Sequence, residues 1–280
     1  NLCEIIRRMG CKVEEKGNEI LIDPADIERP EADPDLARKL RGSYYLLGVL
    51  LGKKGWARSS LPGGCNIGNR PIDLHLKGFK ALGAEMSIDH GIVEVRAERL
   101  KGNRIYLDYP SVGATINIML TATLAEGTTI IENAAREPEI VDLANYLTVM
   151  GARIKGVGTD IIKIEGVESL QGAEYRIIPD RIEAGTYMMA AAVTQGEVFV
   201  KNVLVEHVKP LIAKLKEMGV EIREEIDGVY VKGNGHLKAV DIKTLPYPGF
   251  PTDLQSQMMV LLTQADGTSL VIETVWENRF

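Results

Sequence analysis

Cys65 stands in the segment Leu61-Pro-Gly-Gly-Cys-Asn-Ile-Gly-Asn-Arg-Pro71, with glycines at 63, 64 and 68 and Arg70 five residues further on. A cysteine that only fills a core has no use for such neighbours. Glycines let a backbone move and approach a ligand closely. An arginine offers a planar, permanently charged fork for phosphate or carboxylate. A thiol on a mobile loop beside an anion receptor points to chemistry on a small anionic molecule. The plain alternative is a glycine-rich turn that happens to contain a cysteine.

Composition limits the partners. The net charge of −6 comes without a basic stripe, which argues against nucleic acid as the main partner. Anions must then be held by local arginines rather than by the overall field. With 45% hydrophobic and 26% charged residues over 280 positions, the chain can bury a large core and form one or two domains. No apolar run is long enough to span a membrane, and no secretory signal is visible. The three widely spaced cysteines do not make a disulfide framework, so a reducing, cytoplasmic setting is expected. His75, His90, His207 and His236 are scattered without metal-ligand spacing, and each reads as a surface or internally satisfied histidine.

The elements that must position these residues come as repeats. A helix ending in an apolar residue and Gly, followed by a two-strand pattern, recurs at Met9-Gly10, Leu82-Gly83, Met150-Gly151 and Met218-Gly219, about 70 residues apart. The glycine suits a left-handed helix end, and the alternation after it marks half-buried strands. Between these lies a second unit, an apolar helix, then Gly, then a strand, around Gly55, Gly127, Gly196 and Gly267. The module is helix, two strands, helix, strand, with four copies. The expected fold class is α/β, built from repeats with pseudo-rotational symmetry rather than as a Rossmann sheet, since no G-x-G-x-x-G follows a strand.

Polar residues fall at matching starts of the second helix: Arg41 in Lys39-Leu-Arg-Gly-Ser43, Ser111-Val112-Gly113, Asp180-Arg-Ile-Glu183, and Asp253 in Pro251-Thr-Asp-Leu-Gln255. Arg41 and Asp253 each lie fourteen residues before their repeat glycines, Gly55 and Gly267. Helix N-termini carry free N–H groups and a positive dipole end, so a ring of them suits a polyanion. Simpler readings exist for each. Ser111 can be an N-cap, Thr252–Gln255 a capping box with Asp253 a first-turn acid, and Arg41 a solvated charge.

Taken together, Pro62–His75, Ser111–Thr115, Ala122–Asp142, Pro179–Glu183, Phe250–Asp253 and Glu273–Phe280 resemble the UDP-N-acetylglucosamine 1-carboxyvinyltransferases from end to end. These enolpyruvyl transferases open bacterial peptidoglycan synthesis. The resemblance implies a two-domain, inside-out α/β barrel made of βαβαββ units, here residues 1–178 (the catalytic-loop domain, short at its N-terminus) and 179–280 (a second, incomplete domain). It implies transfer of the enolpyruvyl group of phosphoenolpyruvate to the sugar 3′-hydroxyl with release of phosphate, and no metal or organic cofactor. The implied partners are these two small molecules, without nucleic acid or membrane insertion; the oligomeric state stays open.

By the same resemblance Cys65 is the proton donor to the phosphoenolpyruvate methylene and the attachment point of the epoxide antibiotic fosfomycin. Asp253 is the general base, and Arg279 lies close to the reacting groups. Arg41 and Arg70 hold anions. Arg70, Pro71, Ile72, Asp73 and Leu74 contact the UDP-sugar, as do Ser111, Val112, Gly113 and Val275. Glu137, Asp180 and Glu183 match acidic positions without an assigned step. The family's Lys-Asn pair expected before Asn1 and two arginines expected beyond Phe280 are absent. The chain is therefore expected to be an internal piece of a longer protein, and on its own not to turn over normally. Two competitors remain: the 3-phosphoshikimate 1-carboxyvinyltransferases, which share the fold but lack the cysteine loop, and a non-catalytic sugar-nucleotide binder. The presence of Cys65 argues against the first, and that of Cys65, Asp253, Arg41 and Arg70 together against the second.

Overall fold

In a computed structural model of the chain, residues 1–24, 27, 29–61 and 72–279 are described. They divide into two compact units, one holding the described residues up to 135 with Ile140–Tyr175, the other holding Arg136–Glu139 with residues 176–279. Four copies of the module follow one another along the chain. The first comprises α1 (Leu2–Arg8), the hairpin β1 (Lys12–Lys16) and β2 (Glu19–Asp23), α2 (Pro34–Lys39), a 3-10 turn (Arg41–Tyr44), α3 (Tyr45–Lys54) and β3 (Trp56–Ser60). The second comprises α4 (Asp73–Ala81), β4 (Glu85–Asp89), β5 (Ile92–Arg96), β6 (Arg104–Tyr106), α5 (Val112–Ala122) and β7 (Thr128–Glu132). The third has α6 (Pro138–Val149), β8 (Arg153–Lys155), β9 (Ile161–Glu165), α7 (Arg181–Val193) and β10 (Glu197–Lys201). The fourth has α8 (Val205–Glu217), β11 (Glu221–Glu225), β12 (Gly228–Lys232), β13 (Leu237–Lys238), β14 (Ile242–Lys243), a 3-10 turn (Thr252–Leu254), α9 (Gln255–Leu262), β15 (Ala265–Asp266) and β16 (Val271–Ile272).

The helix-ending glycines do what their position requires. Gly10, Gly83, Gly151 and Gly219 have φ between 96° and 108°, a region that L side chains rarely enter. Each leads straight into a hairpin.

Sheets form across module boundaries. The closing strand β3 pairs antiparallel with β5 of the next copy, Trp56 opposite Arg96, and β5 pairs with β4. In the same way β7 pairs with β9, and β10 with β12. Where a strand precedes the second helix it pairs in parallel with the closing strand of its own copy: β6 with β7, β13 with β15, β14 with β16. In the first copy this parallel pairing shrinks, among the described residues, to the bridge Glu31–Arg58. The four-stranded order β6-β7-β9-β8 is therefore the complete βαβαββ unit.

Within each unit the helices lie inside and the sheets outside. Alternation buries one face of each strand, as with Val93 and Val95 on β5, Ile162 and Ile164 on β9, and Val229 and Val231 on β12. Helix α5 lacks charges, is apolar nearly all round, and is buried accordingly. Its Ile118 and Met119 are fully buried, and each contributes roughly 1.5–3 kcal/mol by leaving water.

Helices α3 and α5 meet backbone to backbone. A Cβ on Gly48 would lie 2.7 Å from the Asn117 carbonyl oxygen, and one on Gly52 would lie 3.3 Å from that of Leu120. Gly48→Ala is expected to destabilise the first unit by about 1–3 kcal/mol through overpacking, against at most about 1 kcal/mol gained in helix propensity. Urea unfolding followed by circular dichroism checks this; a variant as stable as the parent would contradict the close approach.

Candidate active site

In the first unit three helix starts come together. Leu40 is extended (φ −133°), and the 3-10 turn after it carries Arg41 and Tyr44 into α3. The Arg41 guanidinium lies 5.3 Å from the Tyr44 ring centroid, and its Nε is buried without a hydrogen-bond partner among the described residues. The Tyr44 ring meets His75 edge-on, centroids 4.8 Å apart. His75 lies in the first turn of α4, directly after Ile72, Asp73 and Leu74; Ile72 is buried and Asp73 exposed. Ser111 caps α5, its hydroxyl oxygen accepting from the Ala114 N–H at 3.3 Å. The N-cap reading of Ser111 thus holds, and the cap leaves the Val112 and Gly113 N–H groups without intrahelical partners, as first-turn groups are. Gly113 sits against Tyr44 and His75: a Cβ there would lie 2.8 Å from His75 Cε1. Cys65, Arg70 and Pro71 lie outside the described residues.

His75 is 4% exposed, and burial, assisted by the Arg41 charge, pushes its pKa down from 6.5 to about 3. The imidazole is therefore neutral in the fold. Between these two values the unfolded chain binds the proton and the folded one does not, so stability is lost as pH falls through that window. From this group alone the first unit is expected to lose about 2–3 kcal/mol between pH 7 and pH 4.5. Urea titrations of the parent and of His75→Gln at both pH values test this: the variant should escape that part of the loss, and equal losses would contradict a buried neutral imidazole.

In the second unit Thr252–Leu254 form a 3-10 turn, and α9 begins at Gln255 without a side-chain cap. The capping-box reading of this segment does not hold, because Thr252 turns elsewhere: its hydroxyl donates to Glu273 Oε2 at 2.9 Å. Arg279 Nη1 donates to the same hydroxyl at 3.1 Å, and Arg279 Nη2 donates to Asp253 Oδ1 at 2.9 Å. Glu273 Oε1 accepts from the N–H groups of Val275 (2.7 Å) and Trp276 (3.0 Å), which shapes the turn that returns Arg279. The Arg279 side chain is 13% exposed and that of Asp253 60%, so a fixed cation holds one oxygen of an accessible carboxylate. Asp253, Arg279 and Val275 are thus brought together. The organising residues Thr252 and Glu273 were not singled out from sequence.

The other acids of this unit differ from one another. Asp180 caps α7, accepting from the N–H groups of Ile182 (2.7 Å) and Glu183 (3.1 Å), while Glu183 is exposed. Arg181 pairs with Glu139 at 3.2 Å. Glu137 is 8% exposed. Its Oε1 accepts from the Tyr247 N–H at 3.4 Å, and its Oε2 has no partner among the described residues. Burial raises its pKa, so the fold favours the protonated form. Among the described residues no group of three His, Cys, Asp or Glu side chains could hold a metal ion, and no helix is long and apolar enough to cross a membrane.

A family model described as EPSP synthase (3-phosphoshikimate 1-carboxyvinyltransferase) matches residues 1–280. The enolpyruvyl transferase NikO from Streptomyces tendae superposes with a TM-score of 0.86 at 26% identity, covering 99% of this chain and 67% of that one. An EPSP synthase from Acinetobacter baumannii superposes at 0.65 and 20% identity, over 96% of this chain and 64% of that one, and speaks to fold alone. The fold is that of the enolpyruvyl transferases. The UDP-N-acetylglucosamine 1-carboxyvinyltransferase of Halothermothrix orenii is 78% identical over 280 residues, all of this chain and 68% of that protein. UDP-N-acetylglucosamine 1-carboxyvinyltransferase 1 of Caldanaerobacter subterraneus subsp. tengcongensis is 59% identical over 281 residues, 67% of its length. The chain belongs to the UDP-N-acetylglucosamine 1-carboxyvinyltransferase family.

Proposed function

We propose that this chain serves the transfer of the enolpyruvyl group of phosphoenolpyruvate to the 3′-hydroxyl of UDP-N-acetylglucosamine, with release of phosphate, at the first committed step of peptidoglycan synthesis in the cytoplasm. The observation that carries this reading is the Asp253–Arg279 pair. A carboxylate with one oxygen fixed by a half-buried guanidinium keeps its other oxygen, Oδ2, for a substrate hydroxyl. That is the arrangement a general base needs. Asp253 takes the hydroxyl proton while Cys65 gives a proton to the methylene carbon. The sugar oxygen then bonds to the neighbouring carbon; the methyl group returns a proton to the Cys65 thiolate to restore the double bond, and phosphate leaves with the proton that Asp253 had taken.

Arg41 and Arg70 receive the anionic groups of phosphoenolpyruvate, and Arg279 lies close to the reacting atoms. Ile72–Leu74 with Arg70 and Pro71, Ser111–Gly113 and Val275 hold the UDP-sugar, its diphosphate at the first turn of α5. In this reading residues 1–178 carry the thiol loop and residues 179–280 carry the base. Cys65 is also the site an epoxide such as fosfomycin would alkylate, as a thiolate-forming group beside a cation is suited to do.

The test is phosphate release by the chain extended with the flanking segments its longer relatives carry. Phosphoenolpyruvate is supplied with UDP-N-acetylglucosamine or with shikimate 3-phosphate, and Cys65→Ala is assayed alongside. Release with the UDP-sugar alone, lost in the variant, supports the reading. Release with shikimate 3-phosphate, or none with either, overturns it.

A further inference from the structure

Asn117 lies at the centre of α5, fully buried, in a helix otherwise made of apolar and small residues. Its carboxamide is held on three sides. Oδ1 accepts from the Gly48 N–H at 3.0 Å. Nδ2 donates to the Tyr44 carbonyl oxygen at 3.3 Å and lies 2.9 Å from His75 Nδ1. A backbone N–H can only donate and a backbone carbonyl can only accept, so Gly48 and Tyr44 leave the amide one orientation. Thr121 reinforces the contact by donating from Oγ1 to the Gly48 carbonyl at 3.0 Å. The amide nitrogen has only hydrogens to offer, so His75 Nδ1 accepts and carries no proton. The proton of the ring is on Nε2.

That nitrogen faces the first turn of α5. A Cβ on Gly113 would lie 3.0 Å from it. Among the described residues the charged and titratable side chains beside the ring are Arg41 and Tyr44, and burial together with the Arg41 charge keeps a second proton off, with a pKa of about 3. With the other tautomer a lone pair would point at the turn and repel an anion there.

We propose that Asn117 is a positioning residue: through His75 Nδ1 it fixes the tautomer that presents an Nε2–H donor at the Gly113 turn, where the diphosphate of the UDP-sugar is received. This rests on the reading above that Ser111–Gly113 hold the UDP-sugar. The orienting information starts at the Gly48–Asn117 contact of α3 and α5 and ends at the ligand, two hydrogen bonds away.

The experiment has two readouts on the chain carrying its relatives' flanking segments. In protein labelled with ¹⁵N-histidine, long-range ¹H–¹⁵N correlations report the tautomer, and His75→Gln assigns the His75 signals. The expected pattern is Nε2-protonated and unchanged from pH 5.5 to 8. Asn117→Asp, which puts an acceptor against Nδ1, should move the proton to Nδ1 or hold a second one. A parent ring protonated on Nδ1, or one titrating near 6.5, overturns the positioning role.

Calorimetry with UDP-N-acetylglucosamine is the second readout. Asn117→Asp is expected to weaken binding about tenfold or more. Of the two His75 variants, His75→Gln, whose amide nitrogen takes the place of Nε2, should bind more tightly than His75→Asn, which reaches only the Nδ1 place and should weaken like Asn117→Asp. Added to His75→Gln, Asn117→Asp should cost little more, because no tautomer is left to set. Equal losses in both backgrounds mean packing alone and sink the proposal. If Asn117→Asp does not fold, the contrast between the two His75 variants decides: equal affinities sink it. An Nε2-protonated ring in a protein that does not bind the UDP-sugar would instead overturn the underlying function.

Discussion

Asp253→Asn is expected to lower kcat by about 10²–10⁴-fold, the range that a positioned acid or base contributes, while the Kd for UDP-N-acetylglucosamine moves by less than about threefold. Asparagine keeps the shape, and its amide oxygen can still accept from Arg279 Nη2 at the 2.9 Å now spanned by the carboxylate. What it removes is an oxygen able to take a proton. The Thr252–Glu273–Arg279 scaffold does not depend on the second oxygen, so the turn and the Val275 contact should persist. Single-turnover product formation with saturating phosphoenolpyruvate, beside calorimetric Kd values, makes the comparison. A kcat within about threefold of the parent would remove Asp253 from the role of base.

Gly113→Ala is expected to weaken UDP-sugar binding by about a hundredfold or more, with only about 1–3 kcal/mol lost in stability. The new methyl would lie 2.8 Å from His75 Cε1 and press on the Tyr44 hydroxyl. Neither ring can retreat easily, because His75 is tied to Asn117 and Tyr44 carries Arg41 on its face. The first turn of α5 must therefore shift, taking the Val112 and Gly113 N–H groups off their aim. Affinity by calorimetry and melting by circular dichroism separate the two effects. Unchanged affinity would place the diphosphate elsewhere.

Much of this was legible from local rules. The spacing of Gly10, Gly83, Gly151 and Gly219 announced helix ends because only glycine enters φ near 100° without strain. At the second glycine series the rule is less uniform: Gly55, Gly127 and Gly267 are left-handed, whereas in the third copy Gln195 takes that conformation (φ 56°) one residue before Gly196. The strand pairing was not legible. That β7 joins the hairpin of the next copy as well as β6 of its own depends on contacts some 35 residues apart, such as Thr128 with Glu165, which no local periodicity encodes.

The site divides in the same way. Ser111 as a cap and Asp253 near a helix start follow from residue type and position, but the turn around Asp253 does not. Thr252 and Glu273 lie 21 residues apart, so their hydrogen bond is invisible to a local reading, and the capping-box pattern was a chance match. His75 was expected to be satisfied or exposed, and it is satisfied, by a residue 42 positions away. The one local signal for that partner was a lone asparagine inside a run of apolar residues.

The pairing of each closing strand with the hairpin of the following copy bears on dividing the chain. A cut after Asn202, between β10 and α8, would leave β10 on one piece and the hairpin β11–β12 on the other. Five residues on each side, Glu197–Lys201 and Gly228–Lys232, would recognise one another in a single antiparallel alignment that buries Val229 and Val231. Boundaries visible as repeats in the primary sequence are thus seams that hold rather than seams that part, and pieces made at them are suited to fragment complementation.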